Sequence, residues 1–274
     1  MFASKQLASR QRVVTATLGW IIAFGIISLA SAAIFNVVVC LTALLSFNEF
    51  LRMFHINEEI VLYRIAMIAY LLICMAVLGL PLRSLEIGLL VAALIIITTA
   101  LVTSKDIKQG TEQTAKVFFG VVYVSLFLYL VTLRLMTSGR ELILVLSAGT
   151  WGRDLAAYFY GRLIADGRAI MPVISPRKTY GGAAFGLVFA VLVVALSTNW
   201  LLPEWTLVDK LAVGILIGIL GQIGDLVESW LKRSVQVADS SQLLPGQGGM
   251  LDSIDSFMFT APAMYLYVAL IIGQ

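Results

Sequence analysis

Two pairs of acidic residues stand at helical spacing near the C-terminal end of the chain. Asp225 and Glu228 are three positions apart, which places both on one face of a helix. Asp252 and Asp255 have the same spacing near the start of a later helix. In proteins Mg²⁺ binds carboxylate oxygens and shares its other positions with phosphates and water. We therefore expect Asp225, Asp252 and Asp255 to converge from two helices on a metal ion that also holds a polyphosphate.

Cations, a hydroxyl and a glycine turn accompany these carboxylates in the sequence. Ser229, Lys232 and Arg233 end the first acidic helix, where basic side chains can contact phosphate oxygens. A flexible turn follows, in which the amides of Gly248 and Gly249 can approach an anion closely because glycine has no side chain. The pattern predicts a site for a divalent metal and a polyphosphate, with Lys232 and Arg233 among its catalytic residues.

A second basic loop, at 161–181, is a weaker candidate for phosphate binding. It contains Ser175, Arg177, Lys178 and Thr179 directly before an apolar run. We expect these residues to form a turn whose two cations and two hydroxyls bind phosphate oxygens. Basic loops beside a bilayer also contact lipid headgroups, which is the alternative for this segment.

Simpler explanations exist for some of these charges. Arg153 and Asp154 stand inside an apolar run, where an unpaired carboxylate costs several kcal/mol. Such a residue is a functional candidate, but an intramembrane salt bridge between Arg153 and a nearby acid is the alternative. Asp252 and Asp255 could merely favour a helix N-terminus, which attracts negative charge. That explanation accounts for neither Asp225 nor the glycines.

Composition places these residues in a membrane protein. Of 274 residues, 60% are apolar and 13% are charged, and the mean hydropathy is +0.95. Soluble domains carry roughly 25% charged residues. A soluble globule, a disordered chain, a disulfide scaffold and a basic nucleic-acid-binding face are all excluded. Cys40 and Cys74 lie inside apolar runs, so we interpret both as buried small hydrophobes.

The apolar runs predict an all-α integral membrane protein with about nine transmembrane helices. The predicted spans are near 13–30, 32–52, 60–80, 85–103, 115–136, 141–161, 182–202, 210–231 and 253–272. With this count most basic residues fall on the N-terminal side, and only Arg83, Arg134, Arg140 and Lys210 fall on the other. By the positive-inside rule the N-terminus is cytoplasmic. We expect residues 1–140 to form a scaffold with a possible dimer interface, and residues 141–274 to form the catalytic region.

The same stretches resemble the phosphatidate cytidylyltransferase (CDP-diacylglycerol synthase) family of membrane enzymes. The matching positions are Ser229, Lys232, Arg233, Asp239, Pro245, Gly246, Gly248, Gly249, Asp252 and Asp255, supported by Asp154, 157–162, 175–179 and Asp225. The convincing resemblance covers roughly residues 150–260. The N-terminal half is similar only in being several apolar helices.

The chain departs from the family pattern at four positions, and each change removes a charged or titratable group. Gly181 replaces a glutamate, Ala238 a lysine, Gln247 a histidine and Ser253 an arginine. Random drift, disabling, engineered redesign and relaxed function would each explain such losses. The aspartates and the Lys232-Arg233 pair remain, so the resemblance still implies the family's fold.

The resemblance implies that CTP and phosphatidate are condensed to CDP-diacylglycerol and pyrophosphate with Mg²⁺, as one ion or two. The resemblance also implies that Asp225, Asp252 and Asp255 bind the metal. It implies that Lys178, Lys232 and Arg233 contact phosphate oxygens. It further implies a bacterial-type inner membrane, an active site facing the cytoplasm and a homodimer, with no nucleic-acid partner. The alternatives are a CTP-dependent polyprenol or phytol kinase, an inactive or engineered homologue, and a transporter. Transporters typically place broken helices at mid-membrane, whereas the polar residues here cluster at one face.

Overall fold

The computed structural model is almost entirely helical and describes residues 2–56, 59–79, 84–164 and 168–273. The helices of the first half are α1 (Phe2–Leu29), α2 (Ala32–Met53), α3 (Ile60–Gly79), α4 (Ser84–Thr103), α5 (Ile107–Ser125) and α6 (Tyr129–Arg134). The second half contains α7 (Gly139–Leu163), β1 (Ala169–Met171), β2 (Ser175–Thr179), α8 (Tyr180–Leu201), α9 (Leu207–Ser234) and α10 (Met250–Tyr267). A short 3₁₀ segment, Leu126–Leu128, joins α5 to α6, and a π-helical turn, Val268–Ile272, extends α10.

Seven helical segments among the described residues are long and apolar enough to cross a bilayer. They are Ala32–Met53, Ile60–Gly79, Leu85–Thr103, Ile107–Arg134, Tyr180–Leu201, Leu207–Ser234 and Met250–Ile272. This finding confirms the all-α membrane class. The span predicted at 13–30 falls on α1, in which Thr17–Leu29 is a shorter apolar segment, and the span predicted at 141–161 falls on α7. The count of nine and the cytoplasmic N-terminus stay predictions, and Arg83 lies outside the described residues.

The chain divides into two compact units. The first comprises Met1–Val131 with Val237–Ile254, and the second comprises Thr132–Gln236 with Asp255–Gln274. The division falls inside α10, after its first turn. As a result the glycine-rich segment belongs to the first unit, together with the N-terminal helices.

In the first unit, α2 packs against α3 and α5, and α4 packs against α3 and α5. Its core includes a stacked pair, Phe47 on α2 and Tyr70 on α3, with ring centroids 4.4 Å apart. Cys40 and Cys74 are buried and unbridged in this core, as predicted. Ser31 separates α1 from α2 and caps α2 by accepting a hydrogen bond from the Ile34 amide at 3.4 Å.

In the second unit, α7, α8 and α9 pack against one another. Two capping residues set the helix starts, because side-chain oxygens satisfy amides that have no partner in the first turn. Thr179 accepts from the Gly182 amide at 3.1 Å to begin α8. Thr206 and Asp209 form a reciprocal capping box at the start of α9.

The basic segment 175–179 is a strand rather than the predicted turn. Strand β2 pairs antiparallel with β1, Ala169 opposite Thr179 and Met171 opposite Ser175, and the turn falls at residues 172–174. The reason is that Ser175–Thr179 can exchange backbone hydrogen bonds with the preceding segment, a partner that side-chain types do not reveal. The hairpin holds the basic segment extended directly before α8.

Candidate functional site

The second unit contains a cavity of about 240 Å³ whose walls carry opposite charges. Asp154 and Asp225 provide acidic groups, and Arg177 and Lys178 provide basic groups. The lining is completed by Ala157, Tyr158, Gly161, Thr179, Gly182, Ala183 and Gln222. The structure thus brings together four predicted site residues, namely Arg177, Lys178, Thr179 and Asp225.

Asp225 is the centre of the polar contacts beside this cavity. Its Oδ2 accepts a hydrogen bond from Arg153 Nη2 at 3.0 Å and lies 3.4 Å from Lys178 Nζ. Its side chain is 18% exposed, so it reaches the cavity while most of its surface is covered. Two cations therefore neutralise one carboxylate at the edge of a space large enough for a phosphate group.

Ser256 links Asp225 to Asp255. Its hydroxyl donates to Asp225 Oδ1 at 2.7 Å and lies 3.3 Å from Asp255 Oδ1. The Ser256 amide donates to the same Asp255 oxygen at 2.6 Å. The convergence predicted for Asp225 and Asp255 from two helices is present in this unit. Ser256 itself was not predicted, since a lone serine in an apolar helix carries no distinguishing signal.

Arg153 is fully enclosed and holds this cluster from α7. Its side chain is 2% exposed, and it contacts Asp154, Asp225 and the Ser256 hydroxyl, the last at 2.9 Å. Glycines make room for it, because a Cβ at Gly186 or Gly221 would crowd its side chain. The salt bridge considered as an alternative for Arg153 is present, and it is part of the candidate site.

The donor set suits Mg²⁺ held jointly with a substrate. Asp225 and Asp255 supply hard carboxylate oxygens, joined through the Ser256 hydroxyl. Within the described part of the chain, no group of three or more His, Cys, Asp or Glu side chains could hold a metal ion by itself. Mg²⁺ usually binds one or two carboxylates and completes its shell with phosphates and water, so two carboxylates beside a phosphate-sized cavity fit it.

Four other predicted residues of the second unit lie elsewhere in it. Lys232 forms an ion pair with Glu228 at 2.5 Å, one turn back along α9. Arg233 Nε lies 3.4 Å from the Ile174 carbonyl oxygen, which ties the helix end to the hairpin turn. Ser175 begins β2, and Ser229 is half-buried on α9. Among the described residues, these four are not part of the cavity lining, and their phosphate-binding role stays a prediction.

In the first unit, the glycine segment forms a turn in which the Gly248 and Gly249 amides donate to acceptors of the protein itself. The Gly248 amide donates to the Leu244 carbonyl at 3.1 Å, and the Gly249 amide donates to Asp252 Oδ2 at 2.7 Å. Gly248 has a φ of +104°, a conformation that favours glycine. Asp252 Oδ2 also accepts from the Ser240 amide at 2.9 Å. Both glycine amides and Asp252 thus have partners within the protein, and their predicted ligand contacts stay predictions.

Comparison with known proteins identifies the family of the chain. The sequence profile of the cytidylyltransferase family matches residues 10–271. The chain belongs to the cytidylyltransferase family. The predicted resemblance is therefore confirmed, and it extends into the N-terminal helices that looked unremarkable in the sequence.

Curated relatives carry a more specific name. A phosphatidate cytidylyltransferase from Synechocystis is 40% identical over 136 residues, which are 49% of this chain and 45% of that protein. One from Staphylococcus saprophyticus is 36% identical, covering 66% of this chain and 69% of that protein. One from Bacillus subtilis is 33% identical, covering 68% of each. The chain thus spans about half the length of the first relative and about two thirds of the other two.

The space for a side chain at Gly181, one of the four departures predicted from the resemblance, is occupied by Tyr160. A Cβ built on Gly181 would overlap the Tyr160 ring and hydroxyl. The Tyr160 ring packs against Phe185, with centroids 5.7 Å apart, so it does not move without losing that contact. A side chain at Gly181 would therefore require Tyr160 to move.

We expect Gly181→Ala alone to destabilise the protein and to become neutral or stabilising in a Tyr160→Ala background. The overlap is then gone, and alanine makes a helix more stable than glycine does, by about 0.5–1 kcal/mol in the free energy of unfolding. Thermal unfolding of the two single variants and the double variant in detergent measures this coupling. Equal shifts for Gly181→Ala in both backgrounds would contradict it.

Proposed function

We propose that this chain is a membrane enzyme that condenses CTP with phosphatidate to give CDP-diacylglycerol and pyrophosphate. The observation that carries the proposal is the cavity in which Arg177 and Lys178 face Asp154 and Asp225. Membership of the cytidylyltransferase family and the names of the curated relatives support the same reaction. Seven apolar helices and bacterial relatives fit an integral protein of a bacterial membrane.

The chemistry requires charge neutralisation more than activation of a nucleophile. A phosphate oxygen of phosphatidate attacks the α-phosphorus of CTP, and the bond from that phosphorus to the β-phosphate oxygen breaks. Pyrophosphate leaves with the electron pair of that bond. The attacking oxygen is already anionic at neutral pH, so no side chain must remove a proton. Positioning and electrostatic stabilisation then supply most of the rate enhancement, as in other phosphoryl transfers.

The residues of the cavity suit this task. The Lys178 ammonium is partly exposed at 27%, and it can exchange its contact with Asp225 for a phosphate oxygen. Arg177 presents an exposed guanidinium on the same strand, able to bind phosphate in a bidentate manner. Arg153, being enclosed, keeps the Asp225 carboxylate oriented. Lys232 and Arg233 are proposed as additional phosphate contacts.

Magnesium is proposed as the cofactor, held by Asp225 and Asp255. When bound it would screen the charge of the α-phosphate and the leaving pyrophosphate. Asp252 is proposed as a third carboxylate for the magnesium ion and the nucleotide, because it stands in the stretch whose residues resemble the family. We further propose that the site faces the cytoplasm, where CTP is available, and that the protein is a homodimer.

Isotope placement tests the reaction directly. Purified protein in mixed micelles with phosphatidate and Mg²⁺ is expected to transfer label from the α-phosphate of CTP to lipid, and none from the γ-phosphate. The transfer should stop without phosphatidate or with EDTA present. Label arriving from the γ-phosphate would replace the proposal with a lipid kinase, and no transfer at all would leave an inactive homologue.

A further inference from the structure

Glu49, on α2 of the first unit, accepts hydrogen bonds from four groups of one distant segment. It is 5% exposed, and each of its carboxylate oxygens receives two donors from the segment 240–251. Oε1 accepts from the Ser241 hydroxyl at 2.6 Å and from the Met250 amide at 3.0 Å. Oε2 accepts from the Leu251 amide at 2.8 Å and lies 3.2 Å from the Ser240 hydroxyl.

The two backbone contacts make Glu49 the N-terminal cap of α10. Met250 and Leu251 are the first residues of that helix, and amides in a first turn have no partner within the helix. A negative charge at this end also interacts favourably with the helix dipole. The cap comes from about 200 positions earlier in the sequence, so it fixes the start of α10 against α2.

The same contacts reach the Asp252 carboxylate. The Ser240 hydroxyl lies 2.8 Å from Asp252 Oδ2 and 3.2 Å from Glu49 Oε2, so its single proton serves two carboxylates. Gly249, whose amide binds Asp252, has no room for a Cβ because Ser240 Oγ and Glu49 Oε2 occupy that space. Glu49, Ser240, Gly249 and Asp252 therefore form one packed network.

We propose that Glu49 is a positioning residue for Asp252, which it orients through Ser240 and the first turn of α10. This inference rests on the proposed function of Asp252 in nucleotide and metal binding. Groups that hold a metal-binding carboxylate typically change metal affinity or activity by about 10–100-fold when replaced. Glu49 lies in the N-terminal half, which the sequence alone presented as scaffold.

Glu49→Gln tests the proposal because it keeps the side-chain volume. It replaces one accepting carboxylate oxygen with an NH2 group, which only donates. Hydrogen–deuterium exchange of the peptide 240–255 is expected to accelerate, and the Mg²⁺ concentration for half-maximal turnover is expected to rise about 10-fold. In an Asp252→Asn background, Glu49→Gln should add no further loss of CTP affinity, since residues in one network are not additive. A residue that only stabilised the fold would lower the amount of active protein and leave the Mg²⁺ dependence unchanged.

Ser46→Ala is the matched control. Ser46 is fully buried on the same helix, and within the described residues its hydroxyl has no hydrogen-bond partner. It should leave exchange at 240–255 and the Mg²⁺ dependence at wild-type values. If Glu49→Gln fails to fold, Ser241→Ala removes the shortest contact of Glu49 and should shift both readouts in the same direction.

The outcomes separate this inference from the proposed function. Unchanged exchange at 240–255 in Glu49→Gln would overturn the positioning role whatever the reaction is. Faster exchange with wild-type Mg²⁺ dependence would also overturn it, leaving Glu49 a structural cap. Wild-type turnover in Asp252→Asn, together with faster exchange in Glu49→Gln, would show that the proposed role of Asp252 is what failed, and the positioning role would fall with it.

Discussion

Asp225→Asn is expected to reduce CDP-diacylglycerol formation by about 100-fold or more. The substitution preserves shape but removes the charge that faces Arg153 and Lys178 at 3.0 and 3.4 Å. It also removes an oxygen proposed to bind Mg²⁺. A bound metal supplies several kcal/mol of charge stabilisation in a transition state, and about 1.4 kcal/mol corresponds to a tenfold change in rate. Turnover in mixed micelles across a range of Mg²⁺ concentrations measures the loss.

Asp209→Asn is the matched control for this loss. Asp209 is on the same helix, α9, and accepts from the Thr206 amide at 2.9 Å and the Tyr267 hydroxyl at 2.7 Å. An asparagine can keep both contacts, because its oxygen accepts from the Thr206 amide and its NH2 group can donate to the Tyr267 hydroxyl oxygen. We expect near wild-type turnover from Asp209→Asn. Wild-type turnover from Asp225→Asn would remove Asp225 from the reaction and with it the central element of the proposed site.

Much of the architecture follows from the residue types alone. Apolar runs of bilayer length predict helices because every backbone polar group must be satisfied inside lipid. Charges that interrupt such runs are costly, so the residue types alone single out Arg153, Asp154 and Asp225. The structure places these three side chains in one cluster. Scarcity of charge is therefore what made this part of the site predictable.

The partners of those charges were not predictable in the same way. Ser256 is one of many hydroxyls in apolar helices, and only its position between Asp225 and Asp255 distinguishes it. Glu49 is separated from its donors by about 200 residues, so no spacing rule connects them. The hairpin at 169–179 depends on pairing between two short segments, which side-chain type alone does not specify.

The glycine pattern also predicts less than the structure shows. The pattern Pro245-Gly-x-Gly-Gly predicts bare amides near an anion, and that anion is the protein's own carboxylate at Asp252 for the Gly249 amide. The sequence contains both residues, but their three-position spacing equally fits a capping contact and a ligand site. Glu49 and Ser240 lie where a Cβ at Gly249 would be, and no spacing rule connects either of them to this glycine.

Arg153→Met is expected to destabilise the protein by about 3–5 kcal/mol, because removing one partner of a buried ion pair leaves the other charge uncompensated. Arg153 is 2% exposed and contacts Asp154 and Asp225, so the substitution removes the enclosed cation between them and leaves Lys178 as the cation beside Asp225. Thermal or denaturant unfolding in detergent measures the change. Arg153→Lys keeps the charge but replaces the planar, forked guanidinium with a compact ammonium that cannot match its geometry, so we expect an intermediate loss.

Two comparisons separate this electrostatic cause from lost packing. Arg162→Met removes a cation from the exposed end of the same helix, where Arg162 contacts the Tyr158 hydroxyl at 3.1 Å, and should cost less than about 0.5 kcal/mol. Replacing all three charges, as Arg153→Met with Asp154→Asn and Asp225→Asn, should recover part of the stability lost in Arg153→Met, because no unpaired charge then remains buried. If the triple variant recovers none of the stability lost in Arg153→Met, uncompensated charge is not the cause of the loss, and packing of the arginine within its glycine-lined space accounts for it.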